Sequence, residues 1–168
     1  DKELQAPSIT WLNTFSNLII TRTFSKAYGL AGLRVGYSMS HPDIADILNR
    51  VRQPFNCNSF ALAAAQAALS DHDFLTASVA LNNEQRAVLE TFFSEQGIDY
   101  IPSKGNFITV ELVQEPAIVY QALLHKGVIV RPVAGYGLTK HLRVSIGTEL
   151  ENKTFMQALL TVLAELDA

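Results

Sequence analysis

Cysteine is nearly absent from this chain. Cys57 stands alone, which excludes an intramolecular disulfide and any cysteine-rich metal site. A solitary cysteine reads as a small buried or half-buried hydrophobe in a reducing compartment. An excess of charge is lacking too: 13 Lys and Arg face 16 Asp and Glu, for a net charge of −3 and a pI near 5.8. No basic field is therefore present to support nucleic-acid binding. No apolar stretch approaches the ~20 residues that span a bilayer. The opening "DKELQAPSIT" lacks the charged-then-apolar pattern of a signal peptide. His41, His72, His125 and His141 show no ligand spacing, so they are assigned no role and no metal is expected. What the chain does have is core material, with 48% hydrophobic against 17% charged residues. That excludes a disordered tail. A cytoplasmic soluble protein of one domain, or parts of two, is the expectation for 168 residues.

The first half alternates short apolar runs with helical patterns. "NLIITRTF" (17–24) is rich in β-branched residues and predicts a buried strand of parallel type. "RVGYSMS" (34–40) predicts a second strand. Ser40 and Pro42 then open a helix whose Ile44, Ile47, Leu48 and Val51 fall on one face, and Pro54 ends it. "NSFALAAAQAAL" (58–69) is apolar nearly all round and predicts a buried helix with Asn at its start. From Asp71 to about Gln96 the pattern is helical, with Val88, Leu89, Phe92 and Phe93 as the buried stripe and Gly97 as the stop.

Beyond Gly97 the style changes. "NFITVEL" (106–112) alternates, placing Ile108, Val110 and Leu112 on one face and Phe107, Thr109 and Glu111 on the other. A helix around 116–126, a run "GVIVRP" (127–132) and a strand "HLRVSIG" (141–147) follow. Thr148 and Glu151 form a capping box for a last helix with the stripe Phe155, Leu159, Val162, Leu163 and Leu166. The fold class is α/β: an α/β half to about residue 70, an α+β half from about residue 98, and a long helix between.

The chemistry is concentrated in "TRTFSKAYGLAGLRVGY" (21–37). Lys26 falls just past a strand end, where open α/β sheets place their ligand sites. An amine partly buried there beside other cations is held more readily in its neutral form, which can condense with a carbonyl. Gly29, Ala31 and Gly32 permit close backbone approach. Thr23, Ser25 and Arg34 offer two hydroxyls and a five-donor guanidinium, a set suited to a phosphate monoester. The glycines read G-x-x-G-x-x-x-G, which is neither the dinucleotide fingerprint nor a P-loop. A carbonyl-reactive lysine beside phosphate donors points to pyridoxal 5′-phosphate. The plainer alternative is a solvated lysine on a small-residue turn.

This stretch resembles the cofactor-lysine signature S-K-x-x-G-x-x-G-x-R-x-G of fold-type I aminotransferases. "RQPFNCNSFALAAAQAAL" (52–69), "SKGNFITVEL" (103–112) and "GVIVRPVAGYGLTKHLRVSIGTELEN" (127–152) are similar to the histidinol-phosphate aminotransferase branch. The resemblance runs over nearly the whole chain. It implies that residues 1–70 are the C-terminal portion of the large cofactor-binding α/β domain, 71–97 a connecting helix, and 98–168 the small α+β C-terminal domain. It implies amino transfer between L-histidinol phosphate and 2-oxoglutarate or glutamate in histidine biosynthesis, in a cytoplasmic homodimer. Lys26 matches the lysine that binds the cofactor's aldehyde and then serves as general base. Thr23, Ser25 and Arg34 match the positions around the cofactor phosphate. In the family the aspartate at the ring nitrogen, the Asn/Tyr pair at the ring oxygen, the stacked aromatic and the backbone phosphate cradle all precede the lysine. "DKEL" (1–4) lacks the D-E-A-Y-like motif of that aspartate, so the resemblance is to the C-terminal half, which alone is expected to be inactive.

At the substrate end, Leu142, Val144 and Ile146 share one face of "LRVSI" and Arg143 takes the other. Arg131 ends the preceding "VIVR" run. Two such arginines can grip a phosphate or carboxylate bidentately, or make weak surface ion pairs; the resemblance implies the former. Asn106 is placed near the substrate. Asn56 and Asn58 resemble a loop near the site, with Asn58 equally a helix cap. Tyr28 and Tyr136 line a cleft or simply pack, and Arg22 is structural. The alternatives are a related enzyme of the same cofactor, such as an aromatic aminotransferase or a threonine-phosphate decarboxylase, or an inactive fold fragment serving as a binding or structural module.

Overall fold

The computed structural model describes residues 8–167, so the "DKEL" stretch lies outside the described residues. It divides into two compact units, one ending at Thr76 and the other beginning at Ala77.

In the first unit a short helix α1 (Ser8–Trp11) precedes β1 (Ile19–Thr23), β2 (Gly36–Ser40), α2 (Pro42–Val51) and α3 (Ser59–Ser70). β1 and β2 pair antiparallel, with Ile19 opposite Ser40 and Thr23 opposite Gly36. This corrects the parallel strand expected from "NLIITRTF". Only the segment between Thr23 and Gly36 joins the two strands, and no crossover helix intervenes to bring the second back in the same direction. Gly36 fits because a Cβ there would stand 2.6 Å from the Arg22 carbonyl oxygen.

Burial in this unit is thinner than the sequence predicts. Of β1 only Ile20 is buried. The apolar face of α2 is uncovered, with Ile47 56% and Val51 73% exposed. α3 buries Ala61 and Ala65 alone, while Phe60 is 81% exposed. The expected buried strand and buried helix are thus only partly covered, because the unit's core is a small cluster of Phe24, Val35, Ala61 and Ala65. His41, rather than Ser40, caps α2 by accepting from the Asp43 amide. That helix stops at Val51, ahead of Pro54, with Arg52 already extended. Asn58 caps α3: its Oδ1 accepts from the Ala61 amide at 2.8 Å.

α4 (His72–Glu95) runs across the division between the units and ends before Gly97, whose φ of +66° suits glycine. The second unit continues with β3 (Tyr100–Ile101), β4 (Phe107–Glu111), α5 (Pro116–His125), β5 (Arg131–Pro132), β6 (His141–Ser145) and α6 (Glu149–Leu166). Its sheet has the order β3-β4-β6-β5, antiparallel throughout. "GVIVRP" keeps only Arg131 and Pro132 as strand, because that edge pairs with β6 over two residues. The core joins Ile108 and Val110 of β4, Leu142 and Val144 of β6, Val119 and Leu123 of α5, Leu89 and Phe93 of α4, and Phe155, Leu159 and Val162 of α6. Full burial of each large apolar side chain contributes about 1.5–3 kcal/mol. Phe93 meets Phe155 edge-on at 6.2 Å, a favoured aromatic geometry. Val88 and Leu166, expected in the stripes, are 42% and 40% exposed.

One buried polar set holds the turn after β6. Asn152 Oδ1 accepts from the Gly147 N–H (3.0 Å), and its Nδ2 donates to the Gly147 carbonyl (3.3 Å) and to Gln85 Oε1 (3.0 Å). Thr148 and Glu151 complete the predicted capping box at the start of α6.

Candidate active site

The loop from Phe24 to Val35 carries the first group of candidate residues. Phe24 is its anchor: buried, its N–H donates to the Val35 carbonyl and its own carbonyl accepts from the Leu30 N–H. Those bonds hold the loop closed around a turn in which the Gly29 amide donates to the Lys26 carbonyl at 2.8 Å. Gly29 sits at φ +71° with the Phe74 ring 3.3 Å from where a Cβ would stand, so a side chain there is strained on both counts.

On this scaffold, Thr23 Oγ1 accepts from the Ser25 amide at 3.0 Å. The acceptance leaves the hydroxyl hydrogen of Thr23 free to donate. Lys26 is exposed, which corrects the expected partial burial: it is not among the residues that pack on the Phe24 and Val35 cluster. Its side chain makes no hydrogen bond or ion pair among the described residues. Arg34 adopts the left-handed region at φ 53° and ψ 45°, a conformation costing about 1–2 kcal/mol for a residue with a Cβ. Its Nη1 donates to the Ala31 carbonyl at 2.8 Å, and its other donors have no partner among the described residues. Thr23 at the end of β1 and Ser25, Lys26 and Arg34 on the pinned loop after it therefore make one stretch rich in donors.

The second unit holds the remaining candidates. Arg143 on β6 lies opposite Thr109 of β4 and opposite Arg131 of β5. Residues directly opposed across strands share a face, so Thr109, Arg143 and Arg131 form one row. Leu142 and Val144 are buried on the other face. The expected outward placement of Arg143 is what the alternation yields. Arg143 Nε is shielded without a hydrogen-bond partner, and its guanidinium carbon stands 5.1 Å from the centroid of the Phe107 ring. Asn106 is exposed at the start of β4; its carbonyl accepts from Ile146 at 2.9 Å. The Asn82 amide braces the preceding Gly105 carbonyl at 3.1 Å.

Asn56 accepts from Arg52, Tyr28 packs on Phe24 at 5.0 Å, and Arg22 ties Thr21 to Ser8. Tyr136 is 72% exposed. Two features escape sequence reasoning. Phe107 reads there only as the outward face of a strand; its diagonal position to Arg143 in the β4–β6 register would have been the signal. Phe55 occupies φ 57° and is 96% exposed, which no sequence pattern announces. Among the described residues no group of three or more His, Cys, Asp and Glu could hold a metal ion. No helix among them is long and apolar enough to cross a membrane.

The family model of aminotransferase class I and II matches residues 2–159. Histidinol-phosphate aminotransferase 1 of Nitrosococcus oceani is 57% identical over 164 residues, covering 97% of this chain and 44% of that protein. The crystal structure of histidinol-phosphate aminotransferase from Sinorhizobium meliloti, in complex with pyridoxal-5′-phosphate, superposes with a TM-score of 0.82 at 32% identity, over 90% of this chain and 42% of that one. The histidinol-phosphate aminotransferase of Clostridium acetobutylicum gives a TM-score of 0.84 at 26% identity, over 95% and 51%. The chain thus spans less than half the length of the N. oceani relative. By its sequence match and its α/β architecture, the chain belongs to the aminotransferase class I and II family.

Proposed function

We propose that this chain is the C-terminal part of a pyridoxal-phosphate-dependent histidinol-phosphate aminotransferase, working between L-histidinol phosphate and 2-oxoglutarate. The observation that carries the reading is the 57% identity to a relative of that name across 97% of the chain. In this reading residues 1–70 complete the large domain, 71–97 connect, and 98–168 form the small domain of a cytoplasmic homodimer.

The donor set fits the cofactor. Two hydroxyls and a guanidinium suit a phosphate monoester, and an exposed amine on the same loop suits an aldehyde. When bound, pyridoxal phosphate supplies the electrophilic carbon and a ring that accepts electrons from the substrate's α-carbon. Thr23, Ser25 and Arg34 orient the phosphate end. Lys26 Nζ, unpaired among the described residues, would take the proton from the substrate α-carbon and hold it as the general base. Arg143 and Arg131 take the oxyanion of the substrate, phosphate or carboxylate, so one row serves both substrates in turn. Asn106 contributes from the turn that precedes β4.

A chimaera tests the reading. Residues 8–168 of this chain replace the matching part of the N. oceani relative, and amino transfer is assayed on a panel of substrates. Transfer from histidinol phosphate, lost on Lys26→Ala, is the expected result. A folded chimaera that prefers aromatic amino acids, or that releases carbon dioxide from threonine phosphate, would replace it with one of the related activities.

A further inference from the structure

We propose that Phe107 is the positioning residue for Arg143, holding the guanidinium by its ring so that the charge stays available to an anionic substrate; this rests on the arginine row being the oxyanion site. An arginine on a sheet face is commonly fixed by a carboxylate, which neutralises it and occupies its donors. Arg143 has no such partner among the described residues. The acidic residue on its face of β4, Glu111, lies opposite His141 in the register and stands 3.9 Å from its Nε2. That pair is on the side of Arg143 away from Phe107. Phe107, opposite Ser145, is the diagonal neighbour of Arg143, within reach of a long side chain.

The ring and guanidinium meet at 5.1 Å, inside the range of cation–π attraction. Such a contact fixes the place of the cation without consuming N–H donors, so the free edge can still make paired bonds to a phosphate or carboxylate. It also offsets the repulsion of Arg131, which the register sets directly across. The shielded, unpartnered Nε agrees with a side chain held by a ring and not by hydrogen bonds.

The probe is inorganic phosphate, titrated into the chimaera with the N. oceani relative, loaded with pyridoxal phosphate, labelled with 15N at arginine and followed at the Nε–H resonances. In the wild type the Arg143 Nε–H signal should be displaced by the Phe107 ring current and should move on phosphate binding. Phe107→Leu should remove the displacement and weaken phosphate binding roughly 2- to 5-fold, the size expected of one such contact. Phe107→Tyr, which keeps the ring, should restore both. If Phe107→Leu keeps wild-type affinity and Arg143→Gln loses it, the positioning role is overturned and the oxyanion row stands. If Arg143→Gln also keeps wild-type affinity, the row itself is not an anion site and both fall.

Discussion

Arg131 and Arg143 face each other across the β5–β6 pair, register partners on one side of the sheet. Like charges so placed repel, and directly opposed pairs of this kind cost about 0.2–1 kcal/mol. In the proposed reading a bound anion offsets the repulsion. Replacing Arg131 by Gln should therefore stabilise the chain slightly at low salt, by about 0.2–1 kcal/mol. The same variant should lose most of the stabilisation that added phosphate gives the wild type. Thermal unfolding with and without phosphate measures both effects; equal phosphate stabilisation of the two proteins would contradict the pairing argument.

The Asn152 side chain is expected to be worth more to stability than any surface contact of the second unit. It satisfies both backbone groups of Gly147 and the Gln85 carbonyl in a buried setting. Asn152→Ala leaves those groups unpaired, at a cost of about 2–3 kcal/mol. A urea midpoint within error of the wild type would show that water takes over the bonds.

The start of α6 should show acid sensitivity. Hydrogen bonds from the Thr148 backbone N–H and hydroxyl hold the Glu151 carboxyl below its ordinary value of 4.5. A lowered folded-state value means stability that is present above about pH 4.5 and lost as pH falls through the folded value. Thr148→Ala should cost about 1 kcal/mol at neutral pH and flatten the loss between pH 5 and pH 3, a range of about two units around the carboxylate value. Unfolding followed by circular dichroism across that range decides it.

How far the sequence is legible differs between the two units for a physical reason. In the second, each apolar alternation finds a covering element of the same unit: Ile108 and Val110 meet α5 and α6, and the Thr148 cap forms as its spacing predicts. In the first, "NLIITRTF" and "NSFALAAAQAAL" predict burial that Ile19 and Phe60 do not receive, and the apolar face of α2 leaves Ile47 and Val51 exposed. Periodicity reports which face wants covering and not whether the covering element lies in the same unit. The donor residues around Lys26 are legible from their types alone. Their backbone is not, because the left-handed Arg34 has no glycine to announce it. Nor is the Arg131–Arg143 pairing, since a strand of two residues leaves almost no periodic signal.

The uncovered faces carry their own prediction. With Ile47, Val51, Phe55 and Phe60 exposed, the isolated chain should self-associate as its concentration rises. Val51→Glu, on an outward helical position, should reduce the association without unfolding the chain. Sedimentation velocity at several concentrations reads this directly; concentration-independent monomers of the wild type would refute it.

The most direct measurement concerns Lys26 in the chimaera with the N. oceani relative. The protein is loaded with pyridoxal phosphate, reduced with borohydride and digested, and the peptides are mapped by mass spectrometry. The phosphopyridoxyl group should lie on Lys26, and Arg34→Gln should weaken cofactor retention while leaving the label there. A folded chimaera labelled at another lysine, or not labelled at all, would contradict the assignment.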